Sequence, residues 1–318
     1  MTVASGRQGC AGWNGLVRLL GGASVTLVPA AAAAQDVLHG TIAEQSYVEV
    51  EAAAKGGAIA LWALGAIEEH GPHLPLSTDV AIPSAQLRGV RSALAGKGIE
   101  SRIVPPYYWG VNAVTGAFTG SIHVRPETMI ALMLDVFRSL RRSGFEEVYC
   151  ITGHFDAAHG RAIADAVREA NEQGILKARF VVPDVLGERL GLDPGNASFL
   201  FARWPAAEER GFPDLHAGTA ETSAMLHAAP DKVDEALAGA LPVVALDPGQ
   251  LREWRAGGEQ ASTLTPRGYM GAPAHATATA GRQRMAREIE AYATAIEGAV
   301  SRSRARRAPG ATIERGKK

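Results

Sequence analysis

This chain of 318 residues is poor in cysteine, in net charge and in long apolar runs, and each shortage excludes something. Its two cysteines are Cys10 and Cys150. Cys10 falls in an N-terminal stretch that reads as removable, and one remaining thiol makes no intramolecular disulfide. Cys150 sits in the apolar run "VYCIT" and is expected to be buried and inert. The formal net charge is -1, without the basic bias of a nucleic-acid binder, so no nucleic-acid partner is expected. Past the first forty residues no stretch is long and apolar enough for a bilayer span, and no internal repeat is visible.

The first forty residues stand apart. Met1–Arg18 carries Arg7 and Arg18 and no acid, and the stretch 19–34, "LLGGASVTLVPAAAAA", is uncharged. A basic start, a short apolar segment and Ala32-Ala33-Ala34 before Gln35 predict a secretory signal over 1–34. The mature chain is then expected to be periplasmic or secreted, with no membrane attachment after cleavage. A domain is expected over 35–300, followed by a basic disordered tail over 301–318 with the Pro/Gly-interrupted ending "RARRAPGATIERGKK".

Within the domain, apolar runs bounded by glycine alternate with segments of helical spacing. "KGGAIALWALGA" (55–66), "SRIVPP", "EEVYCIT" (146–152) and "ARFVVPD" (178–184) read as buried strands. Helices are predicted over 82–98, 125–144, 157–174 and 281–307. The clearest of them, 125–144, has Pro126 and Glu127 at its start and Arg141, Arg142 and Gly144 at its end. This alternation predicts an α/β fold, a three-layer α/β/α sandwich around a mainly parallel sheet. Beyond residue 190 the pattern loosens, although "HAGTAETSAMLHAAP" (216–230) reads as a loop entering a helix.

Two polar clusters follow the ends of two of these strands, where open α/β sheets bind ligands. "GAIEEHGPHLPLSTDV" (65–80) carries Glu68 and His70, and "ITGHFDAAHG" (151–160) carries His154 and Asp156. In extended chain, residues i and i+2 point the same way, so each pair is expected to face one pocket. Asp79 follows past a Gly-Pro turn that can fold it back. Taken singly, Glu68 reads as a solvated loop acid, His70 as a turn histidine and Asp79 as a cap for the helix near Ile82. Taken together, two imidazoles and three carboxylates suit Zn²⁺ or Mn²⁺, and suit two ions about 3.5–4 Å apart better than one. Two such ions outweigh three carboxylates by one positive charge, which favours a bound hydroxide, the nucleophile of metal-assisted hydrolysis. His73, His123 and His159 are weaker candidates for direct contact.

The blocks "LGAIEEHGPHLPLSTD", "ITGHFD", "FTGSIHVRPETMIALMLDVFRSLRRSGFEEV", "HAGTAETSAML" and "GYMGAPAHATATAGRQ" resemble the creatininase (creatinine amidohydrolase) family over roughly residues 45–298. The resemblance implies the three-layer fold, a two-metal site and hydrolysis of a cyclic or other non-peptide C–N amide bond in a small molecule. It also implies a homo-oligomer, commonly a hexamer. By the same resemblance Glu68, His70, Asp79 and His154 match metal ligands, Asp79 the bridging one. His216 matches a proton-shuttling histidine. Glu221 matches a recurrent glutamate that either ligates or supports a ligand, and it is counted with His216 among the catalytic candidates. The chain departs from the family at Thr152, where asparagine is usual, at Phe155, which replaces a tyrosine, and at Asp156. The creatinine hydrolases have a glutamate at the last position, one methylene longer. Their tryptophan-bearing loop is not recognisable before His216, where Trp204 is the one candidate. These departures favour a formamide or lactam at least as much as creatinine, and leave a metal-bound protein without turnover as the rival from another class.

Overall fold

In the computed structural model, residues 37–204 and 211–307 are described. The expected signal segment over 1–34 lies outside the described residues. Five strands form one sheet: β1 (Ile59–Leu64), β2 (Ser101–Tyr107), β3 (Glu147–Thr152), β4 (Lys177–Pro183) and β5 (Phe199–Ala202). All neighbouring pairs are parallel, in the order β2-β1-β3-β4-β5. Every residue of β1 and β3 is buried, because helices cover both faces and leave no solvent side to select polar residues.

The two sides of β1 enter two cores. Ala60, Trp62 and Leu64 pack with residues of α1 (Tyr47–Lys55), α3 (Pro126–Arg142), α4 (Ala157–Glu172) and α5 (Asp184–Leu190). Ile59, Leu61 and Ala63 pack with α2 (Thr78–Gly96) and α10 (Ala278–Arg307). The result is the three-layer α/β/α arrangement. In α3, Met129, Met133, Phe137 and Leu140 recur at helical spacing and are buried, which holds that layer to the sheet.

Several boundaries differ from the sequence reading. Helix α2 begins at Thr78 rather than near Ile82, so Pro83 lies inside it. A proline there has no N–H for the carbonyl of Asp79, four residues back. That freed carbonyl packs against Gly65 and Gly153, where an added Cβ would approach it to 2.2 and 2.9 Å. The glycines thus let the first turn of α2 sit on the ends of β1 and β3. At the other end of the chain, α10 runs to Arg307, so the tail drawn from 301 is helical over 301–307, and 308–318 lies outside the described residues. The looser region after residue 190 holds β5, α6 (Thr219–Ala228), α7 (Glu235–Ala240), α8 (Pro248–Ala256) and α9 (Glu259–Leu264). A satellite core of Leu246, Trp254, Ala261 and Met270 anchors α8 and α9. No helix among the described residues is long and apolar enough to cross a membrane.

The chain leaves β1 toward β2 on one side, while β3 lies on the other. This reversal opens a crevice beyond the carboxyl ends of β1 and β3, and both polar clusters emerge there.

Candidate metal centre

After β1 the chain folds back on itself, with the Glu68 N–H donating to the Leu76 carbonyl at 3.0 Å. That turn returns Asp79, in the first turn of α2, to the pocket that Glu68 and His70 enter. From β3 comes His154. Its Nδ1 lies 2.7 Å from Glu68 Oε2 and 2.9 Å from Asp79 Oδ2. The other Asp79 oxygen, Oδ1, lies 3.3 Å from His70 Nε2, and Glu221 Oε2 lies 3.8 Å from the same nitrogen. Three donor groups result, each with its atoms within 4.8 Å of one another: Glu68–Asp79–His154, His70–Asp79–Glu221 and Glu68–His70–His216. Asp79 is common to two of them, one oxygen toward each.

The surroundings hold the rings with a lone pair inward. The His154 Nε2–H donates to the Val111 carbonyl at 2.9 Å, leaving Nδ1 to face the carboxylates. The His70 Nδ1–H donates to the Glu68 carbonyl at 3.1 Å, leaving Nε2. Backbone partners of this kind fix the tautomer of metal-ligating histidines. Thr115 donates its hydroxyl to Glu68 Oε1, which orients that carboxylate. His70 Nε2 and Asp79 Oδ2 are buried without a hydrogen-bond partner. Buried polar atoms are rarely left so unless something else satisfies them. Mixed imidazole and carboxylate donors are what Zn²⁺ and Mn²⁺ take, so these residues fit divalent ions.

Electrostatics agree. Burial works against a charged His70, but Asp79 overrides it and raises the imidazole to about 9. Burial likewise opposes charge on His154, and Glu68 and Asp79 push it well above its ordinary range. Burial opposes a charged Asp79 as well, and His70 with His154 hold its carboxyl well below the usual value. Glu221 is raised, first by burial. The cage is a concentrated demand for positive charge, for which protons and metal ions compete.

Asp156 is placed differently from the expectation. It caps α4: Oδ1 accepts from the N–H groups of Ala158 at 2.7 Å and His159 at 3.3 Å. Its Oδ2 accepts from Ala113 at 2.8 Å and Val114 at 3.0 Å. With both oxygens bound by backbone it lies outside the three donor groups, and Glu221 stands beside His70 and Asp79 instead. His159 meets His154 edge to face with ring centroids 4.9 Å apart, and burial, then His154, pushes its pKa well below normal. His73 bonds Thr222 Oγ1 at 2.8 Å, and His123 pairs with the backbone of Asn112. None of these three belongs to a donor group among the described residues.

His216 precedes α6, which carries Glu221 in its first turn. Its Nε2–H donates to the Glu69 carbonyl at 2.8 Å and to Glu69 Oε1 at 3.1 Å, so Nδ1 is the nitrogen left over. Burial opposes its charge, while Glu68 and Glu69 raise its pKa well above normal. Glu69 was not singled out in the sequence. It is reached through Gly268, whose φ is +69° and where any Cβ would lie 1.9 Å from Glu69 Oε2. Beside His216, Ala217 is the one non-glycine residue with positive φ among the described residues, at 48°. Its N–H donates to Glu221 Oε2 at 2.6 Å, so a strained turn serves to aim the glutamate.

The cage opens into a cleft of about 750 Å³ including its mouth, walled by Val114, Phe155, Leu215 and Trp254. The Trp254 ring lies 5.9 Å from the His216 ring. Trp204 instead packs between Phe155 and Tyr292, at centroid distances of 5.6 and 5.7 Å, behind the cleft.

Comparison with known proteins agrees with this fold. The profile of the family described as "Creatininase: Creatinine amidohydrolase" matches residues 43–296. A mycofactocin precursor peptide peptidase of Mycobacterium ulcerans (strain Agy99) is 32% identical over 234 residues, 71% of this chain and 80% of that protein. A creatinine amidohydrolase of Pseudomonas putida is 26% identical over 208 residues, 61% of this chain and 73% of that one. A solved structure titled "Creatininase Mn" superposes with a TM-score of 0.58 at 21% identity, over 81% of this chain and 98% of its own. Another solved creatininase is a mutant of Zn-Zn type, with a TM-score of 0.57 at 22% identity, over 81% of this chain and 97% of its own. With its cluster of metal-ligating side chains at the switch point of the same fold, this chain belongs to the creatininase family of hydrolases.

Proposed function

We propose that this chain hydrolyses a C–N amide bond with two divalent ions per chain, zinc or manganese, held by Glu68, His70, Asp79, His154 and Glu221. The observation that carries the reading is Asp79, whose two oxygens face different histidines at 3.3 and 2.9 Å, so that one carboxylate serves two donor groups. Such ions, when bound, polarise an amide carbonyl and acidify water so that hydroxide is available as nucleophile at neutral pH. The chain's own groups do the rest. Glu69 fixes His216 through Nε2–H, which leaves Nδ1 to take up a proton and hand it to the leaving nitrogen. Asp156 ties the 113–114 backbone to the start of α4 and so steadies the wall that carries the Val111 carbonyl behind His154. Phe155, Trp254 and Leu215 keep water from the side of the cleft away from the carboxylates.

The resemblance in sequence favours a cyclic amide or formamide. The peptidase relative is named for a peptide substrate, so a peptide bond is the second reading. Metal analysis, followed by a panel of creatinine, lactams, formamides and short peptides assayed with Zn²⁺ and Mn²⁺, tests both. The expected result is close to two ions per chain and turnover of one amide class, abolished in Asp79→Asn. Full metal loading with no amide turned over would replace the reading with a metal-bound binding protein.

Export and assembly belong to the same proposal. The uncharged stretch 19–34 ending in Ala32-Ala33-Ala34 supports a mature N-terminus near Gln35 and a periplasmic or secreted protein. Family membership supports a homo-oligomer. N-terminal sequencing of the native protein and light scattering test the two.

A further inference from the structure

The cleft above the cage is acidic at its floor and basic at its rim. Arg189, in the last turn of α5, and Arg255, in the last turn of α8, both line it. They come from two elements well apart in sequence that converge only in the fold. Among the described residues neither guanidinium forms an ion pair. Arg189 donates to the carbonyl of Phe155, which anchors it to the loop that carries His154. Arg255 has no hydrogen-bonded partner among the described residues. The nearby carboxylate of Asp156 attracts Arg189 but is already bound by four backbone N–H groups and pairs with neither arginine. Burial, and then the like charge of Arg255, hold the Arg189 pKa below its ordinary value, with Arg161 of α4 adding to the repulsion.

Two solvent-exposed arginines without an ion-pair partner among the described residues, both lining one cleft, make its rim open to an anion, as the buried carboxylate cage below is open to cations. The planar fork of a guanidinium pairs with a carboxylate in two parallel hydrogen bonds, as it also does with a phosphate. The walls between rim and floor are Val114, Phe155, Leu215 and Trp254, which suit an apolar or aromatic spacer. Creatinine carries no anionic group to reach the rim.

We propose that the substrate is an amide that also carries a carboxylate, such as an N-acyl amino acid or a short peptide with a free C-terminus. Arg189 and Arg255 bind that carboxylate while the scissile amide lies at the cage. This rests on the hydrolase reading above and narrows its substrate class.

The test uses the full chain loaded with zinc and a panel of N-benzoyl amino acids, each beside its matching carboxamide, with phenyl phosphate as a separate anion. Affinity is measured by calorimetry, for the wild type and for the Arg189→Gln/Arg255→Gln variant. Metal content and melting temperature are recorded for both. The best carboxylates should bind the wild type about tenfold to a hundredfold tighter than their carboxamides, as charged hydrogen bonds allow. In the double variant that ratio should fall close to one with metal content unchanged. Should the variant lose its metal or its fold, Arg255→Lys and Arg255→Gln, made singly on this exposed side chain, take its place, and the ratio should fall further in the second than in the first. No carboxylate preference across the panel overturns the proposal. So does a preference that survives in the variants, which would put the carboxylate on the metals. Tighter binding of phenyl phosphate than of any carboxylate overturns it in favour of a phosphoanion. Carboxylate-selective binding without hydrolysis upholds the carboxylate site at Arg189 and Arg255 and sinks the hydrolase reading alone.

Discussion

The loop after β1 and the loop after β3 carry the same pattern, an acid and a histidine two apart followed by another histidine, yet the fold uses them differently. In the first, Glu68 and His70 both enter the cage, and Asp79 follows them. In the second, His154 enters and Asp156 does not, because it starts a helix and its oxygens accept four backbone N–H groups. Direction along an extended chain is therefore necessary for a ligand but not sufficient. A carboxylate one methylene short, standing where a helix needs a cap, answers the backbone first. The opening left beside His70 is met from a distant element, by Glu221 of α6.

The comparison breaks most visibly at Asp79. Asp79→Ala should remove both ions, because one carboxylate faces both donor groups, and metal analysis should fall from close to two per chain toward none with turnover lost. Retention of one full ion would show that the groups are independent. His216→Ala comes next. As a proton carrier it should keep the metal content and lower kcat by roughly 10²–10⁴-fold. Loss of one ion from this variant would make His216 a ligand, as its place beside Glu68 and His70 also permits.

Asp156→Ala sharpens the comparison from the other loop. The metal content should be unchanged, while four backbone donors lose their acceptor, for a cost of about 2–4 kcal/mol in stability. Chemical denaturation of the metal-loaded protein, with Asp156→Asn as a partial rescue, measures it. A drop in metal content at full stability would return Asp156 to the ligands.

The smallest effect concerns the third histidine of each loop. Both His73 and His159 are kept neutral, their pKa values pushed down first by burial, His73 to about 4 from an ordinary 6.5. As pH falls below 6.5, the unfolded chain takes up a proton that folded His73 refuses until about 4. Stability conferred by a neutral His73 is thus present above pH 6.5 and is lost between 6.5 and 4, by at most about 1 kcal/mol per pH unit once solvent screening is allowed for. Denaturation curves of wild type and His73→Gln should converge above pH 7 in slope and separate across that window. Equal slopes throughout would show that His73 does not govern the acid limb.

Much of the fold was legible because helices on both faces of a parallel sheet impose simple patterns. The fully apolar β1, the apolar middle of β3 and the spaced methionines and leucines of α3 could be read from the sequence. The short elements after residue 184 could not, since a strand of four residues or a helix of six has too few positions for a period to show. Pro83 misled the reading of α2 for a local reason: proline marks a first turn, yet here a glycine on each neighbouring strand end takes up the carbonyl it frees.

The sequence by itself determined the layer order and the acidic and imidazole character of the crevice, together with four of the side chains that meet there, Glu68, His70, Asp79 and His154. These follow from alternation along single strands and from residues standing just past strand ends. Only the tertiary structure decided that Glu221 rather than Asp156 joins His70, that Glu69 holds His216, and that Trp254, Arg189 and Arg255 form the upper cleft. Each of those depends on which of several competing hydrogen bonds or packing partners reaches a side chain first. That is settled by distances between elements far apart in the chain, to which a local pattern is blind.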